Sequence, residues 1–288
     1  MQVDQTMPAP EMLEVGDVAF PFVSAGTGEP VLFVNGSWAD LRGWCDLWQD
    51  VAAEHRFLAY THRHFGATQW PQDKPFSRDV HAADLVAILR TLNEPVHLVG
   101  WSYSGGMVLR AAMEVPDLVR TTTIYEPSLS SILPATLKNK ALLEAFGQGF
   151  AGAYAAVKSG DGAGAMRMAV EFVLGMEKGG FATLDPRIQA MLIENAHTMI
   201  PDFDAPTPEP LTCAQIGEVS CPVLLIVGSE TLPHYKLVAA EVLACLPDAS
   251  LSEIQGVGHG GPWQARPEFV RRVLDFVDLN ARGPSALS

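Results

Sequence analysis

Long apolar runs are missing from this sequence, although 48% of its 288 residues are hydrophobic. The longest run is a strand-length piece at residues 223–227, far shorter than the roughly 20 residues that a membrane-spanning helix needs. The first ten residues lack a basic stretch followed by an apolar one, so we expect no signal peptide and a cytoplasmic protein. Charged residues make up only 18% of the chain, which leaves enough apolar side chains for a large core.

Cysteine and basic residues are both scarce. The cysteines, Cys45, Cys213, Cys221 and Cys245, are widely separated and form no C-x-x-C motif, so they predict free thiols in a reducing compartment. Lysine and arginine number 19 against 33 acidic residues, and the formal net charge is −14. Because this charge repels nucleic acid and anionic membranes, we expect a small-molecule substrate as the partner and neither of those two. The sequence does not indicate an oligomeric state.

Short β-branched runs alternate with longer amphipathic segments, which is typical of parallel βαβ units. We therefore predict a mostly parallel, eight-stranded α/β sheet flanked by helices. Recognisable strands lie at residues 18–24, 30–34, 57–60, 96–99, 121–125, 223–227 and 250–254. Helices are expected at residues 41–54, 105–113, 236–245 and 267–277, and another follows the capping residue Ser77 as far as residue 92.

Residues 128–220 interrupt this alternation, because they are rich in Ala, Gly and Met, with helical spacing and no convincing strand. A helical block inserted into a parallel sheet is typical of a cap over the carboxyl ends of the strands, where such folds bind ligands. We therefore predict an α/β core at residues 11–127 and 221–281 and a helical cap at residues 128–220. Residues 1–10 and 282–288 are expected to be flexible tails.

The strongest local motif is V-H-L-V-G-W-S-Y-S-G-G at residues 96–106, an apolar strand that runs through a tight turn into a helix. A nucleophile on such a turn adopts strained backbone angles and needs small residues two positions before and after it. Gly100 and Ser104 meet this need around Ser102. A nucleotide-binding turn is the alternative, but its G-x-G-x-x-G motif is absent near the first strand. The motif therefore predicts that Ser102 is a nucleophile.

Three motifs resemble those of the α/β-hydrolase superfamily: G-T-G-E-P-V-L-F-V-N-G at residues 26–36, the turn at Ser102, and G-V-G-H-G-G at residues 256–261. The resemblance extends from about residue 18 to residue 277. It implies that His259, which follows the last predicted strand, is the general base for Ser102. It also implies an oxyanion hole formed by the backbone N–H groups of Tyr103 and of Ser37 or Trp38.

The sequence departs from the family pattern at several positions. Asn35 stands where the family has His, and Ser104 where Gly is usual. The loop T-H-R-H-F-G at residues 61–66 replaces the common D-x-R-G-x-G and borders the expected site. Its two histidines, His62 and His64, either contact substrate or, as is more common for such residues, lie behind the site or at the surface.

The acidic partner of His259 is unusual in this sequence. The family places Asp three residues after the Gly that ends the seventh strand, where this chain has Thr231. Two replacements are available: Glu126 at the end of the sixth predicted strand, and Glu230 beside Thr231. Some members of the family, including certain haloalkane dehalogenases and serine lactonases, carry the acid after the sixth strand. Because Pro127 biases Glu126 towards an extended conformation, we favour Glu126 and keep Glu230 as the alternative acid.

Together these residues predict hydrolysis of a small, largely apolar ester or lactone through an acyl-enzyme intermediate on Ser102. Two alternatives remain. A cofactor-free dioxygenase would use His259 as a base and would consume oxygen without acylating Ser102. A ligand receptor with a vestigial triad would bind its ligand without turnover. No metal or organic cofactor is implied.

Overall fold

The computed structural model describes residues 7–281 of the chain. Its strands are β1 (Glu11–Val15), β2 (Val18–Gly26), β3 (Pro30–Val34), β4 (Arg56–Tyr60), β5 (Val96–Trp101), β6 (Val119–Tyr125), β7 (Val223–Gly228) and β8 (Ala249–Ile254). They form one eight-stranded sheet in the order β1-β2-β4-β3-β5-β6-β7-β8. The β1–β2 and β2–β4 pairs are antiparallel, and all the pairs from β4 through β3 to β8 are parallel. The predicted mostly parallel α/β sheet is therefore confirmed.

The α-helices lie between and after these strands. They are α1 (Trp48–Ala52), α2 (Arg78–Leu92), α3 (Gly105–Glu114), α4 (Leu137–Gln148), α5 (Ala151–Lys158), α6 (Gly162–Val173), α7 (Pro186–Glu194), α8 (Met199–Phe203), α9 (Cys213–Ile216), α10 (Pro233–Cys245), α11 (Gly261–Gln264) and α12 (Arg266–Ala281). Among residues 7–281, none of these helices has both the length and the apolar composition required to cross a bilayer.

The central strands are buried on both faces, as expected where helices cover a parallel sheet on both sides. Every residue of β3, β5 and β7 is buried. Successive residues belong to opposite cores because side chains alternate along a strand. Leu32 and Leu98 pack with α2 and α3, whereas Phe33 and Val99 pack with α12. Both cores support the carboxyl ends of β5 and β6.

Two elements differ from the sequence expectation. The helix predicted at residues 41–54 is instead a 3₁₀ turn at Leu41–Trp44 followed by α1. Asp40 caps the turn by accepting from the Arg42 N–H (3.0 Å), and burial of Trp44 determines the path of the chain more than helix propensity does. Strand β1 was missed because its exposed residues lack alternation; it is defined by its pairing with β2.

Residues 128–220 lie between β6 and β7, and their regular elements are helical, α4 to α9 together with short 3₁₀ turns. Many of their apolar side chains form a cluster of their own, which includes Met166, Met191 and Met199, whereas others such as Leu129 and Leu211 pack into the core beside α2 and α3. Trp38, from the loop after β3, joins this cluster and connects it to the sheet. The division into core and cap, and the function of a cap, stay predictions. The predicted tails lie largely outside the described residues.

The prediction of four free thiols is wrong for two of the cysteines. Cys213 in α9 and Cys245 at the end of α10 form a disulfide, whereas Cys45 and Cys221 are free. The first pair is 32 residues apart, so only the folding of α9 against α10 brings the two thiols together. Because disulfides are uncommon in reducing compartments, the thiols no longer support a cytoplasmic location, which stays a prediction.

Candidate active site

Ser102 lies on the tight turn between β5 and α3, as the motif predicted. Its φ angle is +54°, in the left-handed region that non-glycine residues rarely occupy. The turn needs small neighbours: a Cβ added at Gly100 would lie 3.0 Å from the Val108 side chain. Strain of this kind persists only where the surrounding packing enforces it, and it is concentrated at functional sites.

Ser104, the residue that departs from the usual family motif, stabilises the same turn. Its hydroxyl accepts from the Trp101 backbone N–H (2.9 Å) and donates to the Val34 carbonyl (2.8 Å). These bonds connect the turn to the end of the neighbouring strand β3. The serine therefore adds a buried polar connection that glycine could not provide.

Glu126 and His259 are in direct contact at the carboxyl ends of the strands. Glu126 is fully buried, and its Oε2 lies 2.6 Å from His259 Nδ1. The Gly228 backbone N–H donates to Oε1 (2.7 Å), and the Thr231 hydroxyl donates to Oε2 (2.7 Å). The residue at the usual acid position thus holds the carboxylate that comes from the neighbouring strand.

Glu230, the alternative acid, is placed differently. Its side chain is exposed, and its backbone N–H donates to the carbonyl of Val257 in the loop before His259 (2.9 Å). The residue therefore helps to position the histidine loop through its main chain. The geometry favours Glu126 as the partner of His259, although the catalytic role of either carboxylate stays a prediction.

Aromatic side chains orient the His259 loop. Trp101 Nε1 donates to the His259 carbonyl (3.0 Å), and the Tyr125 hydroxyl donates to the Gly258 carbonyl (2.5 Å). The Tyr235 ring stacks on the imidazole with ring centroids 3.8 Å apart and planes 8° apart. Tyr235 was missed by the sequence analysis, because a tyrosine in an amphipathic helix carries no signal that distinguishes it from a core residue.

The predicted oxyanion residues border Ser102. A Cβ added at Gly36 would lie 3.7 Å from Ser102 Cβ, so the loop after β3 passes directly beside Ser102. Ser37 and Trp38 follow Gly36 and line the same cavity as Ser102 and His259. Tyr103 is buried in the turn that precedes α3. This arrangement brings the predicted donors to the predicted nucleophile, and their role in catalysis stays a prediction.

The cavity beside Ser102 has a volume of about 270 Å³. Its wall is mainly apolar, and the inserted helices contribute much of it: Phe146, Phe150, Val170, Val173, Leu174, Leu192 and Phe203. The polar side chains away from Ser102 and His259 are few, and include Arg78, Ser128 and Asp202. Among residues 7–281, no group of three or more His, Cys, Asp or Glu side chains is arranged to hold a metal ion.

A family model described as the alpha/beta hydrolase family matches residues 31–273, most of the chain. The chain belongs to the alpha/beta hydrolase family. Over 100 residues it is 32% identical to a 2-hydroxymuconate semialdehyde hydrolase of Pseudomonas sp. (strain CF600), a match that covers 33% of this chain and 35% of that protein.

Two solved structures share the fold of this alpha/beta hydrolase. One is described as Est816, an N-acyl homoserine lactone degrading enzyme; its TM-score is 0.69 at 21% identity, covering 92% of this chain and 100% of that one. The other is a bromoperoxidase from Bacillus anthracis, with a TM-score of 0.76 at 18% identity, covering 94% and 100%. At these identities the likeness shows the fold alone.

Two buried histidines, His62 of the unusual loop and His81 of α2, lie behind the expected oxyanion hole of this alpha/beta hydrolase. His62 Nε2 lies 3.1 Å from the Asn35 carbonyl oxygen, and His81 Nδ1 lies 2.7 Å from the Tyr103 hydroxyl. Burial lowers the pKa of His62 to about 4, so the ring is neutral at pH 7. Neither His62 nor His64 is among the residues that line the Ser102 cavity. The structure thus places His62 as a support for the site, and His64 beside His81 (3.4 Å).

Proposed function

We propose that this protein hydrolyses a small, largely apolar carboxylic ester or lactone through an acyl-enzyme intermediate. The observation that carries the proposal is the 2.6 Å contact between the buried Glu126 and His259, which lines the same apolar cavity as the strained Ser102. A fully buried carboxylate needs compensation for its lost hydration, and an imidazole that becomes cationic during catalysis supplies it.

In this mechanism Ser102 Oγ attacks the scissile carbonyl carbon while His259 takes the hydroxyl proton. Glu126 holds the imidazole by Nδ1 and stabilises its positive charge. The backbone N–H groups of Ser37 and Tyr103 donate to the oxygen that becomes anionic. Collapse of the tetrahedral intermediate expels the alcohol, which receives the proton from His259. Water then attacks the acyl-enzyme with the same base and releases the acid.

The cavity supports the choice of substrate class. A volume of about 270 Å³ with apolar walls suits a compact, uncharged acyl group. The structure described as an N-acyl homoserine lactone degrading enzyme is a fold relative for which a lactone substrate is named, which makes lactones a sensible part of a substrate panel.

Serine-directed labelling tests the proposal. A fluorophosphonate is expected to add covalently at Ser102 alone, as found by peptide mapping, and Ser102→Ala is expected to lower ester turnover by about a thousandfold or more. Labelling at another serine, or none, would contradict acyl-enzyme chemistry. Activity retained in Ser102→Ala together with oxygen consumption would instead identify the cofactor-free dioxygenase.

A further inference from the structure

A polar patch interrupts the apolar wall of the Ser102 cavity. It consists of Arg78, Ser128 and Asp202. Arg78 begins α2 of the sheet-flanking layer, whereas Asp202 lies in α8 of the inserted helices. The mechanism proposed above uses neither side chain, so the patch is not explained by the chemical step.

Arg78 is held in place by two contacts. Its Nη1 donates to the Ser128 carbonyl (2.8 Å), and its guanidinium carbon lies 4.4 Å from the centre of the Tyr103 ring. Stacking on an aromatic face and one fixed hydrogen bond orient the planar guanidinium. Because a guanidinium has five N–H donors, others remain available for a ligand in the cavity.

Asp202 and Trp38 complete the polar surface. Burial raises the pKa of Asp202, and the Arg78 charge and the Trp38 indole oppose that rise. Trp38 is only 6% exposed and lines the same cavity as Asp202.

Arg78, Ser128 and Asp202 also line a second cavity of about 270 Å³. Its apolar lining includes Met107, Leu129 and Leu211. The polar patch therefore stands between the two cavities, beside the path of any substrate that extends from Ser102 into the second one.

We propose, on the basis of the function proposed above, that Arg78 and Asp202 bind a secondary amide of an ester or lactone substrate. The amide carbonyl accepts from Arg78, and the amide N–H donates to the Asp202 carboxylate. A free acid would meet the negative charge of Asp202, and an amine would meet the positive charge of Arg78. A hydrocarbon would remove water from both groups without replacing the lost hydrogen bonds. A neutral group with one acceptor and one donor satisfies both.

Matched esters test the subsite. The substrates are 4-nitrophenyl esters of equal acyl length in three series. The first series contains a secondary amide, the second contains the N-methylated amide, and the third contains only methylenes. Within the two amide series, the position of the amide along the acyl chain is varied. At one amide position, kcat/KM is expected to exceed that of the other two esters by about tenfold or more. Asp202→Leu is expected to remove the preference for the secondary over the N-methylated amide, and Asp202→Asn, which keeps an acceptor oxygen, to retain much of it.

Controls separate the subsite from the proposed function. Asp204→Leu is the matched variant, because Asp204 is exposed and pairs with Lys158 on the surface; it should keep the preference. Equal kcat/KM for all three series would overturn the subsite and leave ester hydrolysis standing. Calorimetric titration of Ser102→Ala with each ester measures binding affinity without turnover. Tighter binding of the amide ester there supports the subsite even if the wild type fails to hydrolyse it, and equal binding overturns it.

Discussion

Positive φ angles at Trp38, Ser102 and Glu126 place backbone strain at two residues that line the Ser102 cavity and at the residue whose carboxylate contacts His259. Each such residue costs about 1–3 kcal/mol, so the packing around it must compensate. At Ser102 the strain raises the hydroxyl from the end of β5. At Glu126 the φ angle is +45°, so the extended conformation expected from Pro127 is wrong. The strained backbone there accompanies a carboxylate that is directed to His259 and to two further donors on β7 and its loop.

The identity of the acid is tested by a pair of substitutions. Glu126→Gln removes the charge that stabilises the His259 imidazolium, so turnover is expected to fall by about a hundredfold or more while the protein stays folded. Glu230→Gln is the matched control and is expected to cost far less, because that side chain is exposed. Steady-state kinetics of both variants, with circular dichroism for folding, measure the effect. The reverse ranking would show that the acid lies on β7.

Elements of the sheet carry buried groups that titrate. His97 in β5 is fully buried, with Nδ1 2.8 Å from the Thr121 hydroxyl. Burial, with a smaller contribution from the Arg120 charge, lowers its pKa from 6.5 to about 4. The unfolded chain therefore binds this proton first as the pH falls. The contribution of neutral His97 to the free energy of unfolding is therefore complete above pH 6.5 and is lost as the pH falls towards 4.

Acidification is thus expected to lower the free energy of unfolding, by about 2 kcal/mol at pH 5 for His97 alone. His97→Asn keeps a hydrogen-bonding group near Thr121 but does not titrate, so it is expected to flatten this pH dependence. Urea unfolding at pH 7 and pH 5 measures the difference. The exposed His197→Asn serves as the control, and an equal pH dependence in wild type and His97→Asn would contradict the assignment.

The disulfide connects two helices, α9 and α10. Cross-linking residues 32 positions apart restricts the unfolded chain, and loss of the bond is expected to lower the free energy of unfolding by about 2–4 kcal/mol. Paired Cys213→Ser and Cys245→Ser substitutions, measured by urea unfolding, test this. Cys45→Ser, at a free thiol, is expected to leave stability nearly unchanged. No difference between wild type and the paired variant would show that the bond does not form in solution.

At the scale of the whole molecule, the inserted helices and the sheet share one cavity. Phe150 lines it, whereas Phe172 packs against Phe150 with ring centroids 4.9 Å apart. Phe150→Ala is expected to shift the ratio of kcat/KM for bulky against small acyl esters by about tenfold or more towards the bulky ones, since it enlarges the cavity. Leu137→Ala, at an 88% exposed residue of the same segment, is the control. An equal change for every ester would show that this segment does not select substrates.

The predictable part of the fold followed from local patterns. Buried parallel strands and the Ser102 turn are encoded within about ten residues each, and so they were found. Strand β1 is defined by its pairing with β2. The helix expected at residues 41–54 is instead a 3₁₀ turn followed by α1, because the chain adopts the path that buries Trp44. Both depend on contacts far apart in sequence, which local propensity does not contain.

By itself, the sequence determined the α/β class, the tight turn at Ser102 and the two candidate acids, because each rests on residue type and spacing along the chain. Only the tertiary structure decided which carboxylate contacts His259, that Cys213 and Cys245 pair, and that Arg78, Trp38 and Asp202 meet in one cavity. These are contacts between elements that are distant in sequence. Their distances are set by how strands order in the sheet and how the inserted helices pack over it, and neither is a property of any local segment.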